Sequence, residues 1–198
     1  MTRHVDEKLR NFHGPENAEH ELRKAYNSVI DAATTYYWDR HGIPGVNSDE
    51  VITLYRRAFN ALRRNDRLSA ERWARATKHL ARAFWLEAKL CYLEPRANEL
   101  PFLKGGQPDD YGLRERSDTT ADLLDSLINH IPPGLTEMPP EMSHYLQRAR
   151  RHLQVLEEPE YANELLRAER TKAAHEYGRA VECMALAYEA ESDGEKAA

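Results

Sequence analysis

Residues 51–93 read VITLYRRAFNALRRNDRLSAERWARATKHLARAFWLEAKLCYL, and most of the fold follows from this stretch. Placed at about 100° per residue, Val51, Leu54, Tyr55, Ala58, Phe59 and Leu62 gather on one face, which predicts an amphipathic helix. That helix is expected to open at Asn47, with Asn47 and Glu50 as a capping box and Val46 stapled against Val51. After an Asn65-Asp66 turn, Ser69 is expected to cap a longer helix, with Leu68 and Trp73 at its staple positions and its end at Leu93, before Pro95. The longer helix has a wide apolar arc: Trp73, Ala76, Thr77, Leu80, Ala81, Ala83, Phe84, Trp85, Ala88, Cys91 and Tyr92. Leu86, Leu90 and Leu93 fill the other side of its last turns, so it is expected at the centre of the molecule, surrounded by protein.

The same rotation lays out the rest of the chain. A first helix is predicted from about Asn17 to Arg40, with Leu22, Ala25, Tyr26, Val29, Ile30, Ala33 and Tyr36 inward and His20 outward. A fourth, opened by Ser117 or Asp118, buries Leu123, Leu124, Leu127, Ile128 and Ile131. A fifth carries Tyr145, Leu146, Ala149, Leu153 and Leu156. The sixth begins at Pro159, a residue suited to a first helical turn, and runs to about Glu189 through Leu166, Ala173, Tyr177, Ala180, Val181, Met184 and Tyr188. Loops are expected over 95–116 and 132–140, where prolines and glycines interrupt the period. No alternating segment marks a strand.

The expected architecture is therefore all-α: a single-domain bundle of about six helices over residues 17–190, built around two long helical hairpins with the third helix central. Residues 1–16 are expected as a flexible N-terminal segment and 191–198 as a frayed tail. Ala70-Glu71-Arg72 and Ala168-Glu169-Arg170 coincide as tripeptides in the two hairpins. The hairpins nevertheless exceed the roughly 34-residue tetratricopeptide unit and lack its signature, so independent hairpins are expected.

A chain of 198 residues with 41% hydrophobic and 31% charged side chains can build one core without cross-links. Its two cysteines, Cys91 and Cys183, have no disulfide or zinc spacing and point to a reducing compartment. The charged first ten residues do not read as a secretory signal, and no run is apolar enough to span a membrane. A cytoplasmic protein is expected.

Charge is unevenly placed. Between residues 56 and 82 stand nine positive side chains against Asp66 and Glu71, a local +7 in a chain of −5, so the remainder carries −12. Arg72, Arg75, Lys78, His79 and Arg82 share one polar sector of the third helix, and Arg56, Arg63 and Arg64 extend the basic character onto the second. Such a ridge binds a polyanion, RNA among them, or an acidic protein surface, unless carboxylates of the sixth helix such as Glu164, Glu169, Glu176 and Glu182 neutralise it. The expectation is a non-catalytic interaction module acting through the basic hairpin 51–93, its partner an acidic protein or a nucleic acid; a homodimer is compatible with this.

Arg72 and His79 also stand seven apart on one helical face. This spacing resembles the R-x4–6-H signature of HEPN-type helical domains, in which paired motifs at a dimer interface cleave RNA without metal. The resemblance implies His79 as general acid and base and Arg72 as phosphate anchor. Trp73 stands where that family usually has a polar residue, and only two helices precede the motif. The alternative to the interaction module is thus a metal-independent ribonuclease.

Glu87 falls inside the apolar arc, between Leu80, Ala83 and Cys91. A carboxylate there must be paired, hydrogen-bonded, metal-bound or protonated, and a core salt bridge or tyrosine bond is the expected answer. Glu141 and His144 supply one Glu-x-x-His, but a di-iron bundle needs two, so no metal and no cofactor are expected. Lys104-Gly105-Gly106 lacks the context of a phosphate loop, and no nucleophile-plus-base pattern is present.

Overall fold

A computed structural model describes residues 17–38, 48–96, 110–157 and 164–197. Among these residues there are six α-helices and no strand: α1 (Ala18–Trp38), α2 (Ser48–Arg63), α3 (Arg67–Leu93), α4 (Asp110–Ile128), α5 (Pro140–Gln154) and α6 (Glu164–Ala197), with 3-10 turns at Glu94–Arg96 and Val155–Glu157. None of these helices is long and apolar enough to cross a membrane. The segments that were to cap α2 (Val46, Asn47), open α6 (Pro159) and hold Lys104-Gly105-Gly106 lie outside the described residues, as do residues 1–16.

The most extensive pairing joins α3 to α6. α3 also packs on α1 and α2, and α6 on α5 and α4, so the long members of the two hairpins form the spine. Alanines make this approach possible: Ala74, Ala76, Ala81 and Ala83 of α3 and Ala174, Ala180 and Ala187 of α6 are buried along it. Larger side chains fill the flanks, with Trp73, Leu80 and Phe84 meeting Tyr145, Tyr177, Val181 and Met184 in one continuous core. Tyr145 stacks on Tyr177 at 6.0 Å, and Phe84 presents its edge to both rings, geometries that aromatic quadrupoles favour.

Three boundaries differ from expectation. α3 starts at Arg67 because Asp66, not Ser69, is the cap; its side chain accepts from the Ser69 backbone N–H at 3.1 Å. Asn65 turns the chain into it with a φ of +63°, a left-handed conformation that asparagine tolerates. α4 begins at Asp110 rather than near Ser117, since one glycine in a helix costs only about 1 kcal/mol and Gly112 does not stop it. α6 continues to Ala197, past the expected end near Glu189, and Glu191 is held there by the Trp73 indole N–H at 3.0 Å.

α4 meets α6 at Gly178, where an added Cβ would lie 3.0 Å from methyl carbons of Leu123 and Leu124. At the other end of the bundle Arg57 lies over the rings of Trp73 and Tyr188 and donates to Glu141 at 3.1 Å, while the Tyr188 hydroxyl donates to the same carboxylate at 2.6 Å. The two cysteines are reduced: Cys91 is exposed, and Cys183 is buried with its thiol pushed up to about 12 by burial.

Candidate functional site

Much of the predicted basic ridge is turned inward. α1 is rotated relative to expectation: Tyr26 and Ile30 face solvent, whereas Glu21 is only 4% exposed. The reason is electrostatic. Lys78 donates to Glu21 at 2.8 Å, and Arg75 and Lys24 approach the same carboxylate at 3.7 and 3.2 Å. Burial pushes the Glu21 carboxyl up, but these cations outweigh it and bring it down to about 2. Arg75 additionally bonds Glu71, one turn back on its own helix.

On the α6 side, His79 Nδ1 lies 2.6 Å from Glu176, and since a carboxylate only accepts, that nitrogen carries the proton. Burial holds the His79 pKa below its ordinary value, although the hydrogen bond to Glu176 and that carboxylate's charge oppose this. Arg72 crosses under α6 and donates to the backbone oxygen of Leu186. Arg72, Arg75, Lys78 and His79 are therefore not solvent-sector residues, because α1 and α6 close over the first half of α3. Of the acidic groups expected to meet the ridge, Glu176 takes His79 and stands 4.0 Å from Arg82, Glu169 takes Lys89, and Glu182 pairs within α6 with Arg179. The α1 carboxylate Glu21 went unforeseen.

The remaining predicted residues are not brought to one place. Arg56 and Arg63 are exposed on α2, and Arg64 reaches toward Glu191 at 3.9 Å. Arg72 and His79 are each spent on partners within the chain, which leaves neither open toward a substrate phosphate in this protomer.

Past Arg82 the same face of α3 opens. Trp85 and Tyr92 were expected inward, yet they are 45% and 58% exposed, while Leu86, Leu90 and Leu93 form a small core with Leu166 and Ala173. The last turns of α3 are thus enclosed on one side only. Arg82, Trp85, Lys89, Tyr92 and Arg96 follow at intervals of three and four, which places them in a single row. Lys89 lies over the Trp85 ring at 5.4 Å and Arg96 over the Tyr92 ring at 4.1 Å. The signal was present in the sequence: cations three and four residues from an aromatic share its face, and Lys89 and Arg96 lie over the two exposed rings.

Glu87 is 9% exposed and bonded as expected. Arg148 reaches it with two nitrogens, and His152 Nε2 donates at 3.0 Å. Arg170 then donates to His152 Nδ1 at 3.3 Å and pairs with Glu94, which fixes the imidazole tautomer and ties α3, α5 and α6 together. Burial raises the Glu87 carboxyl, but its cationic and imidazole partners leave it below the ordinary range. Among the described residues no three His, Cys, Asp or Glu side chains converge as a metal ion would require. No family model, curated protein or solved structure matches the chain.

Proposed function

We propose that the protein is a non-catalytic interaction module that binds single-stranded nucleic acid along the open half of α3. The observation that carries this is the row Arg82, Trp85, Lys89, Tyr92 and Arg96, in which the exposed rings of Trp85 and Tyr92 alternate with one exposed and two half-buried cations. Stacking on an exposed ring is worth about 1–3 kcal/mol per base, and it pairs naturally with cations that neutralise phosphates. Trp85 and Tyr92 are two helical turns apart, about 10.5 Å, close to three base steps of a stacked strand at about 3.4 Å each. A cytoplasmic RNA is the partner in this reading. It relocates the interaction surface from the whole basic hairpin to the end where the aromatic rings are exposed, although Glu169 and Glu176 still approach Lys89 and Arg82 there. The ribonuclease alternative gains no support, since Arg72 and His79 have partners in the core.

The test is fluorescence anisotropy with labelled single-stranded RNA across a salt series, on the wild-type chain and on Trp85→Ala/Tyr92→Ala. Saturable binding is expected at low salt, with a log–log salt slope near −2 for about three neutralised phosphates. The double variant is expected to bind about tenfold or more weakly. No binding of RNA, DNA or heparin at low salt would overturn the proposal and leave an acidic protein as the partner to seek. Equal binding by the double variant would remove the stacking.

A further inference from the structure

We propose that the cleft between α4 and α6 is a second binding site, for a small ligand that carries one anionic group, phosphate or carboxylate, on a compact apolar body. The cleft has a volume of about 480 Å³, with Arg116 and Thr120 on the α4 wall and Thr171, Lys172, His175 and Glu176 on the α6 wall. That volume is within the range of ligand pockets, roughly 300–1,000 Å³.

The chemistry of the walls selects the ligand. The hydroxyls of Thr120 and Thr171 donate to the carbonyls of Arg116 and Arg167 on their own helices, at 2.7 and 3.0 Å. Both threonines therefore offer methyl groups and lone pairs to the cleft, and neither spends its proton on a ligand. His175 Nδ1 stands 3.5 Å from the Thr120 oxygen and takes the donor role there, because the hydroxyl proton is already used. The one acidic group of the walls, Glu176, accepts from His79 and stands 4.0 Å from Arg82, so its charge is offset in part by groups outside the cleft. Lys172 shares Glu169 with Lys89, at 2.9 and 3.0 Å, which leaves this corner with more cation than carboxylate. Arg116 is exposed and has no carboxylate partner among the described residues. Its guanidinium can meet a phosphate or carboxylate with two parallel hydrogen bonds, and Lys172 adds a second charge. An anionic head at these two cations would extend its apolar body over Ala168 and the threonine methyls.

The experiment titrates the full chain with phenyl phosphate, benzoate and phenol, following the His175 ring resonances by NMR. At least one of the two anions is expected to saturate at millimolar concentration while phenol does not, and the tighter anion identifies the head group. Arg116→Gln is expected to weaken that anion about tenfold with an unchanged circular dichroism spectrum, since the side chain is exposed. Trp85→Ala/Tyr92→Ala is expected to leave it unchanged, which separates this site from the α3 row. Absence of saturation by both anions, saturation by phenol at the same concentration, or equal affinity in Arg116→Gln overturns the proposal.

Discussion

Two halves of one helix face carry similar cations and meet opposite fates. In the first half of α3, Arg75, Lys78 and His79 each reach a carboxylate supplied by α1, α3 or α6, and the neighbouring helices close over them. In the second half and the 3-10 turn that follows it, Arg82, Lys89 and Arg96 stand beside exposed rings, with Glu169 pairing Lys89 from the inner side and Glu176 4.0 Å from Arg82. The lesson concerns what a run of arginines means. A local +7 does not by itself mark an interaction surface, because the fold brings acids to it, most of them from helices distant in sequence. Exposed aromatic rings are the better marker, because a core that could bury them has not done so.

The largest test is made on the inward side of the open half. Glu87→Ala leaves Arg148 and His152 buried beside an empty place, and urea unfolding is expected to show a loss of about 3–5 kcal/mol. A loss within about 0.5 kcal/mol would mean that the Glu87 bonds carry nothing.

Next comes the closed half. Glu21→Gln is expected to cost about 2–3 kcal/mol at pH 7, because Lys78 and Arg75 lose a charged acceptor. The pH dependence gives the sharper form. The Glu21 carboxyl is lowered from 4.5 to about 2 in the folded chain. Its contribution is therefore full above about pH 4.5 and lost as the pH falls toward 2. Glu87 and Glu176 are lowered as well and add to the same acid instability. Stability curves of wild type and Glu21→Gln should approach one another through that window. Parallel curves would show that Glu21 is not paired in solution.

The open half should respond in the opposite sense. Trp85→Ala/Tyr92→Ala is expected to cost under about 1.5 kcal/mol, since each ring is only half-buried, while nucleic-acid binding drops. A cost above about 3 kcal/mol would place these rings in the core and erase the contrast.

The smallest effect belongs to the boundary between the halves. Arg82→Gln is expected to change stability by less than about 0.5 kcal/mol, as an exposed pair at long range contributes little. The same substitution should flatten the salt slope of RNA binding by about 0.7. An unchanged slope would put Arg82 with the closed half.

The helical class, the two hairpins and the burial of Glu87 were legible because period and amphipathicity are local properties. The rotation of α1 was not. Tyr26 and Ile30 are more apolar than Glu21, and only the presence of Lys78 and Arg75 across the interface makes Glu21 the inward residue. The cap of α3 was misplaced by three residues because Asp66 and Ser69 are both good caps, and the left-handed turn at Asn65 decides between them. The cleft between α4 and α6 had no sequence signal at all, since Arg116, Lys172 and His175 become neighbours only through helix packing.

The contrast between the two cysteines gives the open half of α3 a chemical handle. Cys183 is buried with its thiol raised to about 12, so it stays protonated and unreactive, whereas Cys91 is exposed beside Tyr92. A maleimide fluorophore added to the native chain would settle on one position, next to the rings on which bases are proposed to stack. Occupancy of that row could then be followed by quenching, with no engineered attachment point.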